Sequence, residues 1–409
     1  MTAETIDAAR LIGRLQALGS IGRDADGRLA RLAASDADKL GRDAFVGWLE
    51  EAGLDVAIDR VGNIFGTWKT ADNASQPPLL LGSHIDTVID AGIYDGCYGV
   101  LSGLEVIETL KASGLAPSRP IAVAAFTNEE GVRFAPDMMG SLVFAGGVAP
   151  GKALASIGTD GTVLGAELAR IGYDGPQEPG FFRPSAYVEL HVEQGPILER
   201  EGIDIGAVAT LQGLSWQRVR IAGAANHAGT TPMSMRRDAG QAAALALTFL
   251  RKRAAASNSP AVATVGCMEF HPNAINVIPS RAVFTVDLRD PDEGRLREAE
   301  AEFAAFLEDL ARSEDITITT EPLARLYPVV FDEGIVRLIE ACARKRANTV
   351  RRMTSGAGHD AQMISRMCPS GMIFVPSRGG ISHSPLEHTD ADHLVAGANV
   401  LLDVVQHLV

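Results

Sequence analysis

Residues 79–100 read L-L-L-G-S-H-I-D-T-V-I-D-A-G-I-Y-D-G-C-Y-G-V. A short apolar run stops at a Gly-Ser pair, and His84, Asp86, Asp90 and Asp95 follow at once. Such a run, bounded by turn residues, reads as a buried strand. A buried strand that ends in imidazole and carboxylate groups is a rigid platform for a metal site. The pattern recurs three times. Residues 120–127 are continuously apolar and lead into T-N-E-E-G, with Glu129 and Glu130. Residues 186–190 lead into H-V-E-Q-G, with His191, Glu193 and Gln194. Residues 372–375 run into P-S-R-G-G-I-S-H-S-P-L-E-H-T, with Arg378, His383 and Glu387. Sites in open α/β sheets form at the carboxyl ends of strands, so four such ends predict one centre.

The rest of the chain supplies the cover for such a sheet. Residues 5–19 and 35–53 have apolar side chains at helical spacing, the second with Ser35 or Asp36 as cap and Gly53 as terminator. Residues 54–58 and 63–68 read as strands and 99–114 as a helix with one apolar face. Strand, helix, strand at this spacing argues for a parallel sheet covered by helices. Between the third and fourth strand ends the pattern changes. Strands at 214–221, 262–270, 282–288 and 316–319, with helices at 238–256 and 292–311, describe a small inserted α+β sandwich. Residues 334–346 and 389–408 return to helices of the main domain, with 355–360 as a flexible glycine loop. The chain of 409 residues exceeds what one core usually covers. The expected fold class is therefore α/β, a mixed, mostly parallel sheet with flanking helices carrying the metal site, plus an inserted α+β domain. The boundaries fall at 1–207, 208–322 and 323–409.

Composition excludes several partners. A net charge of −14 argues against nucleic acid or an anionic membrane, which need clustered Lys and Arg. A small molecule or a second copy of the chain fits better. No stretch approaches 18 uninterrupted apolar residues, and Glu4 and Asp7 stand where a signal peptide is basic and then apolar, so a cytoplasmic location is expected. Cys97, Cys267, Cys342 and Cys368 are scattered without a C-x-x-C pair, which argues against a disulfide framework.

His84, Asp95, Glu130, His191 and His383 form the mixed nitrogen and oxygen donor set that suits Zn²⁺, Mn²⁺, Co²⁺ or Ni²⁺. Asp95, beside Gly96, suits a carboxylate shared by two ions, and Asp86 is placed to orient the His84 ring. Glu129 and Glu130 cannot both face one point on an extended chain. One can bind metal while the other takes a proton from an activated water. Any one of these histidines alone reads equally well as a surface residue; agreement among four strand ends lowers that alternative. By spacing alone, His227, Asn276 and Arg289 in the inserted segment read as turn or surface residues.

The motifs G-S-H-I-D-T-V, Y-D-G-C-Y-G-V, T-N-E-E-G-V-R-F, E-L-H-V-E-Q-G-P-I-L-E, N-H-A-G-T-T-P-M, D-L-R-D, S-G-A-G-H-D-A and G-I-S-H-S-P-L-E together resemble the amidase, hydantoinase/carbamoylase family of the zinc exopeptidase superfamily. That group includes N-carbamoyl-L-amino acid hydrolases, β-ureidopropionases and allantoate amidohydrolases. The resemblance implies two divalent metal ions, Zn²⁺ first and Mn²⁺, Co²⁺ or Ni²⁺ as alternatives, on His84, Asp95, Glu130, His191 and His383, with Asp95 bridging and Glu129 as general base. It implies a homodimer in which the inserted domain pairs the subunits and closes over the site, with His227 stabilising the oxyanion in the partner's site. Asn276 and Arg289 would hold the substrate carboxylate, and Gln194 and Gly358 would add contacts. It also implies a cis Asp95–Gly96 peptide.

The function so implied is metal-dependent hydrolysis of a linear amide or ureido C–N bond. N-Carbamoyl-L-amino acids are the expected substrates, giving amino acid, CO₂ and ammonia. Allantoate amidohydrolase and β-ureidopropionase activities are the alternatives. A non-catalytic binding protein on a peptidase scaffold would lack a ligand or the base, and none is missing.

Overall fold

The computed structural model describes residues 4–409. The chain divides into two compact units, one made of the chain up to Ala209 together with Phe331–Val409, the other of Thr210–Val330.

The larger unit is built on a mixed sheet in the order Asp55–Ile58, Ile64–Trp68, Ile121–Phe126, Leu79–His84, Ala186–Val192, Ser370–Val375 and Ile205–Leu211, with Val350–Ser355 also paired to the last. Sequence patterning did not separate Ile205–Leu211 or Val350–Ser355 from their surroundings. The four strands that deliver the candidate ligands are consecutive neighbours and run parallel. Every residue in them is buried, so both faces of the sheet are covered, which is why these strands read as continuous apolar runs. The third runs two residues further than the sequence indicates, so that His191 lies inside it.

Along these four neighbours the chain order is second, first, third, fourth. The order therefore reverses between Leu79–His84 and Ala186–Val192, the place where doubly wound sheets open a crevice. These two strands pair only from Leu79–Leu81 to Ala186–Val188. Helix Cys97–Ala112 begins in the opening beyond. A Cβ on Gly99 would lie 2.4 Å from the Leu190 carbonyl oxygen and 3.0 Å from Ser83 Cβ, so only glycine permits this approach. The helix starts two residues earlier than its sequence pattern suggests and is buried along nearly its whole length. Helices Ala8–Ser20 and Ala391–Leu408 pack on it as the sheet does, and it needs no polar face.

The smaller unit is an antiparallel sheet in the order Thr317–Leu326, Gly213–Ala222, Arg281–Asp290 and Val262–Thr264, with Met268–His271 also paired to Arg281–Asp290. Ala282, Phe284, Val286 and Leu288 alternate inward and meet Leu296, Phe303 and Leu307 of helix Glu293–Ser313 and the alanine-rich face of helix Ala239–Ala256. The single strand expected over 262–270 is two strands. Thr264 pairs with Asp287 and Met268 with Phe284, which leaves three residues opposite two, a bulge that contains Gly266. The unit also passes residue 322, because Thr317–Leu326 keeps pairing with Gly213–Ala222 as far as Leu326 and Leu214. Among the described residues no helix is long and apolar enough to cross a membrane.

Candidate metal centre

Asp95 sits where the strand order reverses and divides the candidate ligands into two groups. Its Oδ1 lies 3.4 Å from His84 Nε2 and 3.2 Å from His191 Nε2. Its Oδ2 lies 3.3 Å from His383 Nε2, which is 3.4 Å from Glu130 Oε2. Two ligand sets result, His84, Asp95 and His191, and Asp95, Glu130 and His383, the donor atoms of each within 4.8 Å of one another. One carboxylate serves both.

Hydrogen bonding aims the ring nitrogens. His84 Nδ1 faces the Asp86 carbonyl oxygen at 2.9 Å and His191 Nδ1 faces that of Val192 at 2.8 Å. A carbonyl only accepts, so Nδ1 carries a proton in both rings and Nε2 is the nitrogen turned to the centre. For His191 the Gly96 N–H, donated to Nε2 at 3.0 Å, requires the same tautomer. These nitrogens face carboxylate oxygens, an arrangement that attracts when a proton or a metal cation stands between them. The acid–base balance agrees. Burial pushes Glu130 up to about 7, with Asp95 adding to it, and the hydrogen bond to Asp95 raises His383 to about 9. Burial opposes charge on His84, yet Glu129, Asp95 and Asp86 hold it well above its ordinary value. Protons gathered by such a cluster are what divalent cations displace on binding. The donor set therefore fits divalent metal.

Both glutamates reach the centre, against the alternation expected of an extended chain. Asn128 at φ 57° and Gly131 at φ 66° curl the backbone, and Asp86 accepts from the N–H groups of both Glu129 (3.2 Å) and Glu130 (3.3 Å). Glu129 Oε2 then lies 3.5 Å from His84 Nε2, whereas Glu130 faces His383. The Asp95–Gly96 peptide is not cis; among the described residues only Ala135–Pro136 and His271–Pro272 are. The turn is made by Gly96 itself, at φ 62° and ψ −49°, with Cys97 N–H donated to the Asp95 carbonyl at 2.6 Å. This γ-turn of the rarer hand needs glycine. A Cβ there would also lie 2.4–2.5 Å from the His84 ring. Gly96→Ala should therefore displace His84 and weaken metal binding at least tenfold, on the scale of other losses of ligand orientation. Metal analysis of the folded variant, its circular dichroism unchanged, checks this.

Two buried groups went unnoticed in the sequence. His359 stacks edge-on against His191 at 4.6 Å and bonds Ser355 Oγ through Nε2. Burial and the neighbouring His191 hold it well below the usual histidine range. Glu189 could share a cation with these two histidines by distance. Its oxygens, however, already accept from Ser83 Oγ, the Tyr187 hydroxyl and Ala361 N–H, which makes it a brace between strands. Alternation along an apolar strand gives no hint of such an inward carboxylate.

The model of peptidase family M20/M25/M40 matches residues 80–407. An N-carbamoyl-L-amino-acid amidohydrolase of Rhizobium meliloti is 39% identical over 98% of this chain and 96% of its own. An allantoate amidohydrolase of Bacillus subtilis is 34% identical over 96% and 95%. The crystal structure of an amidase of the hydantoinase/carbamoylase family from Burkholderia multivorans superposes with a TM-score of 0.95 at 40% identity, covering 98% of each chain. The chain belongs to peptidase family M20/M25/M40. Within it, the chain groups with the hydantoinase/carbamoylase amidases, as its motifs indicate, and divalent metal binding follows from the family and the ligand cluster together.

The remaining candidate residues of this M20-family chain are dispersed. Gln194, at φ 57°, donates from Nε2 to Asp95 Oδ2 at 2.7 Å. Gly358 precedes His359 and lies against Met138. His227, Asn276 and Arg289 belong to the smaller unit. The segments around His227 and Asn276 pair with each other, Ala228 N–H donating to the Asn276 carbonyl at 3.0 Å. His227 Nδ1 accepts from Gly229 N–H (3.0 Å) and Thr230 N–H (3.2 Å), which leaves Nε2 protonated and facing outward as a donor. Arg289 lies near the other end of strand Arg281–Asp290, its guanidinium aligned by Asp287. Arg289 is eight residues along the strand from Arg281, roughly 27 Å at the usual rise. Asn276 lies in the loop that leads into the Arg281 end of this strand, and Arg289 lies near its far end.

Proposed function

We propose that this amidohydrolase cleaves the carbamoyl C–N bond of N-carbamoyl-L-amino acids, with one water consumed and amino acid, CO₂ and ammonia released. The observation that carries the reading is Asp95 facing two imidazole-containing ligand sets with the uncommitted carboxylate of Glu129 beside them. Zn²⁺ is the metal we assign, with Mn²⁺, Co²⁺ and Ni²⁺ as the alternatives to be tested. His84, Asp95, Glu130, His191 and His383 would hold two divalent ions, which would supply a polarised carbamoyl carbonyl and a water acidic enough to lose a proton near neutrality. Glu129 takes that proton and returns it to the leaving nitrogen. His227 donates Nε2–H to the carbonyl oxygen as charge develops on it. Arg289 offers two parallel N–H groups to the substrate carboxylate, and Gln194, Asn276 and Gly358 complete the contacts.

The separation of His227 and Asn276 from Arg289 along one strand supports a homodimer, in which residues 210–330 act as pairing domain and lid and one copy's His227 and Asn276 serve the other copy's centre. A cytoplasmic setting suits a reaction on a small amino acid derivative. The second reading, allantoate hydrolysis, is favoured by the Bacillus relative, because allantoate also joins ureido groups to a carboxylate. Turnover of N-carbamoyl-L-amino acids, N-carbamoyl-β-alanine and allantoate by protein loaded with each of the four metals decides between them. A kcat/KM highest for an N-carbamoyl-L-amino acid is expected; a tenfold preference for allantoate would replace that substrate, and no turnover with any metal would overturn the enzymatic reading.

A further inference from the structure

Two side chains without a part in the proposed reaction converge on Asp95. Glu387, 292 residues further along the chain and buried, accepts through Oε1 from Tyr94 N–H at 2.9 Å and from Asp95 N–H at 3.2 Å. Ser382 Oγ lies 3.2 Å from Asp95 Oδ2 and 3.1 Å from Glu387 Oε2, so one hydroxyl links the two carboxylates. The backbone makes room for this contact at Gly92, where a Cβ would lie 2.3–2.5 Å from Glu387 atoms. Gly92 does not have a positive φ, so space and not conformation calls for glycine there. The segment from Asp90 to Gly96 begins and ends at residues of positive φ and lies outside any strand or helix; its shape depends on what holds it from outside.

We propose that Glu387 is a positioning residue for the metal centre. It clamps the Tyr94–Asp95 backbone and, through Ser382, orients Asp95 Oδ2, so that one carboxylate faces both ligand sets. Because Ser382 and His383 are adjacent, the same clamp fixes the His383 loop relative to the Asp95 loop. The proposal rests on the reading of His84, Asp95, Glu130, His191 and His383 as metal ligands.

The test is a Co²⁺ titration, read by calorimetry and by the visible spectrum of bound cobalt, on wild type, Glu387→Ala, Glu387→Gln, Gly92→Ala and the double variant Gly92→Ala/Glu387→Ala. Glu387→Ala should weaken cobalt binding roughly 10–100-fold and alter the spectrum, as loss of other groups that orient ligands does. Glu387→Gln should recover part of the affinity, since its amide oxygen still accepts the two N–H groups. Gly92→Ala should reproduce the defect by displacing the carboxyl, and should add little to Glu387→Ala, because the two act on one contact. Wild-type affinity and spectrum in Glu387→Ala would overturn the proposal, as would additive effects of the two substitutions. If Glu387→Ala does not fold, wild-type affinity in Gly92→Ala has the same force. Failure of the wild type itself to bind cobalt overturns the metal-centre reading instead.

Discussion

Glu129→Gln is expected to leave the metal content of the protein unchanged and to lower kcat by about 10²–10⁴-fold, the usual contribution of a positioned general base. Glu129 lies beside His84 but belongs to neither ligand set around Asp95. Glutamine keeps its size and its place, with the main-chain N–H still held by Asp86. What it loses is the ability to take a proton. Burial holds the Glu129 carboxyl well above the usual carboxylate range, with Asp360, Glu130 and Asp95 adding to the effect and His84 opposing it. A carboxylate raised in this way is basic enough to accept a proton from an acidified water and acidic enough to give it up to nitrogen. Elemental analysis and steady-state kinetics on the same preparation check the prediction. Wild-type turnover removes Glu129 as base; loss of metal with turnover moves it into the ligand set.

Asp95→Ala should abolish binding of both ions and with it all measurable turnover, whereas Glu130→Ala should impair one ion only. Asp95 supplies an oxygen to each ligand set, and Glu130 to the set with His383 alone. Asp95 is also the acceptor for Gln194 and Ser382. Removing it leaves two buried imidazoles, His84 and His191, without the carboxylate they face. Burial opposes ionisation of Asp95, but the three histidines around it hold it well below the usual carboxylate range, which marks it as the anionic hub of the cluster. Metal stoichiometry of the two variants, measured side by side, separates a shared from an unshared ligand. Equal losses in both would mean that the ions bind only as a pair.

The candidate ligands were legible because apolar runs end visibly. Leu79–Leu81 and the run 120–127 contain no polar residue other than the final Thr127, so the polar groups that follow stand out as strand ends. What the neighbours of those ligands do was not legible. Glu387 reads as one more acidic loop residue until the fold sets it against Tyr94 and Asp95. Glu189 reads as an interruption of a strand until Ser83, Tyr187 and Ala361 surround it. Asn276 and Arg289 read by spacing as turn or surface residues, and the fold sets them toward opposite ends of strand Arg281–Asp290.

By itself the sequence carried the family, through the resemblance of its motifs, and the α/β class and the five candidate ligand residues, because hydrophobic period and chemical type are local properties of a chain. Tertiary structure alone decided that the four strands lie side by side and parallel, that their order reverses between His84 and His191, and that Asp95 turns one oxygen to each set. Those are matters of pairing and direction between segments up to about 300 residues apart, and no local pattern encodes them.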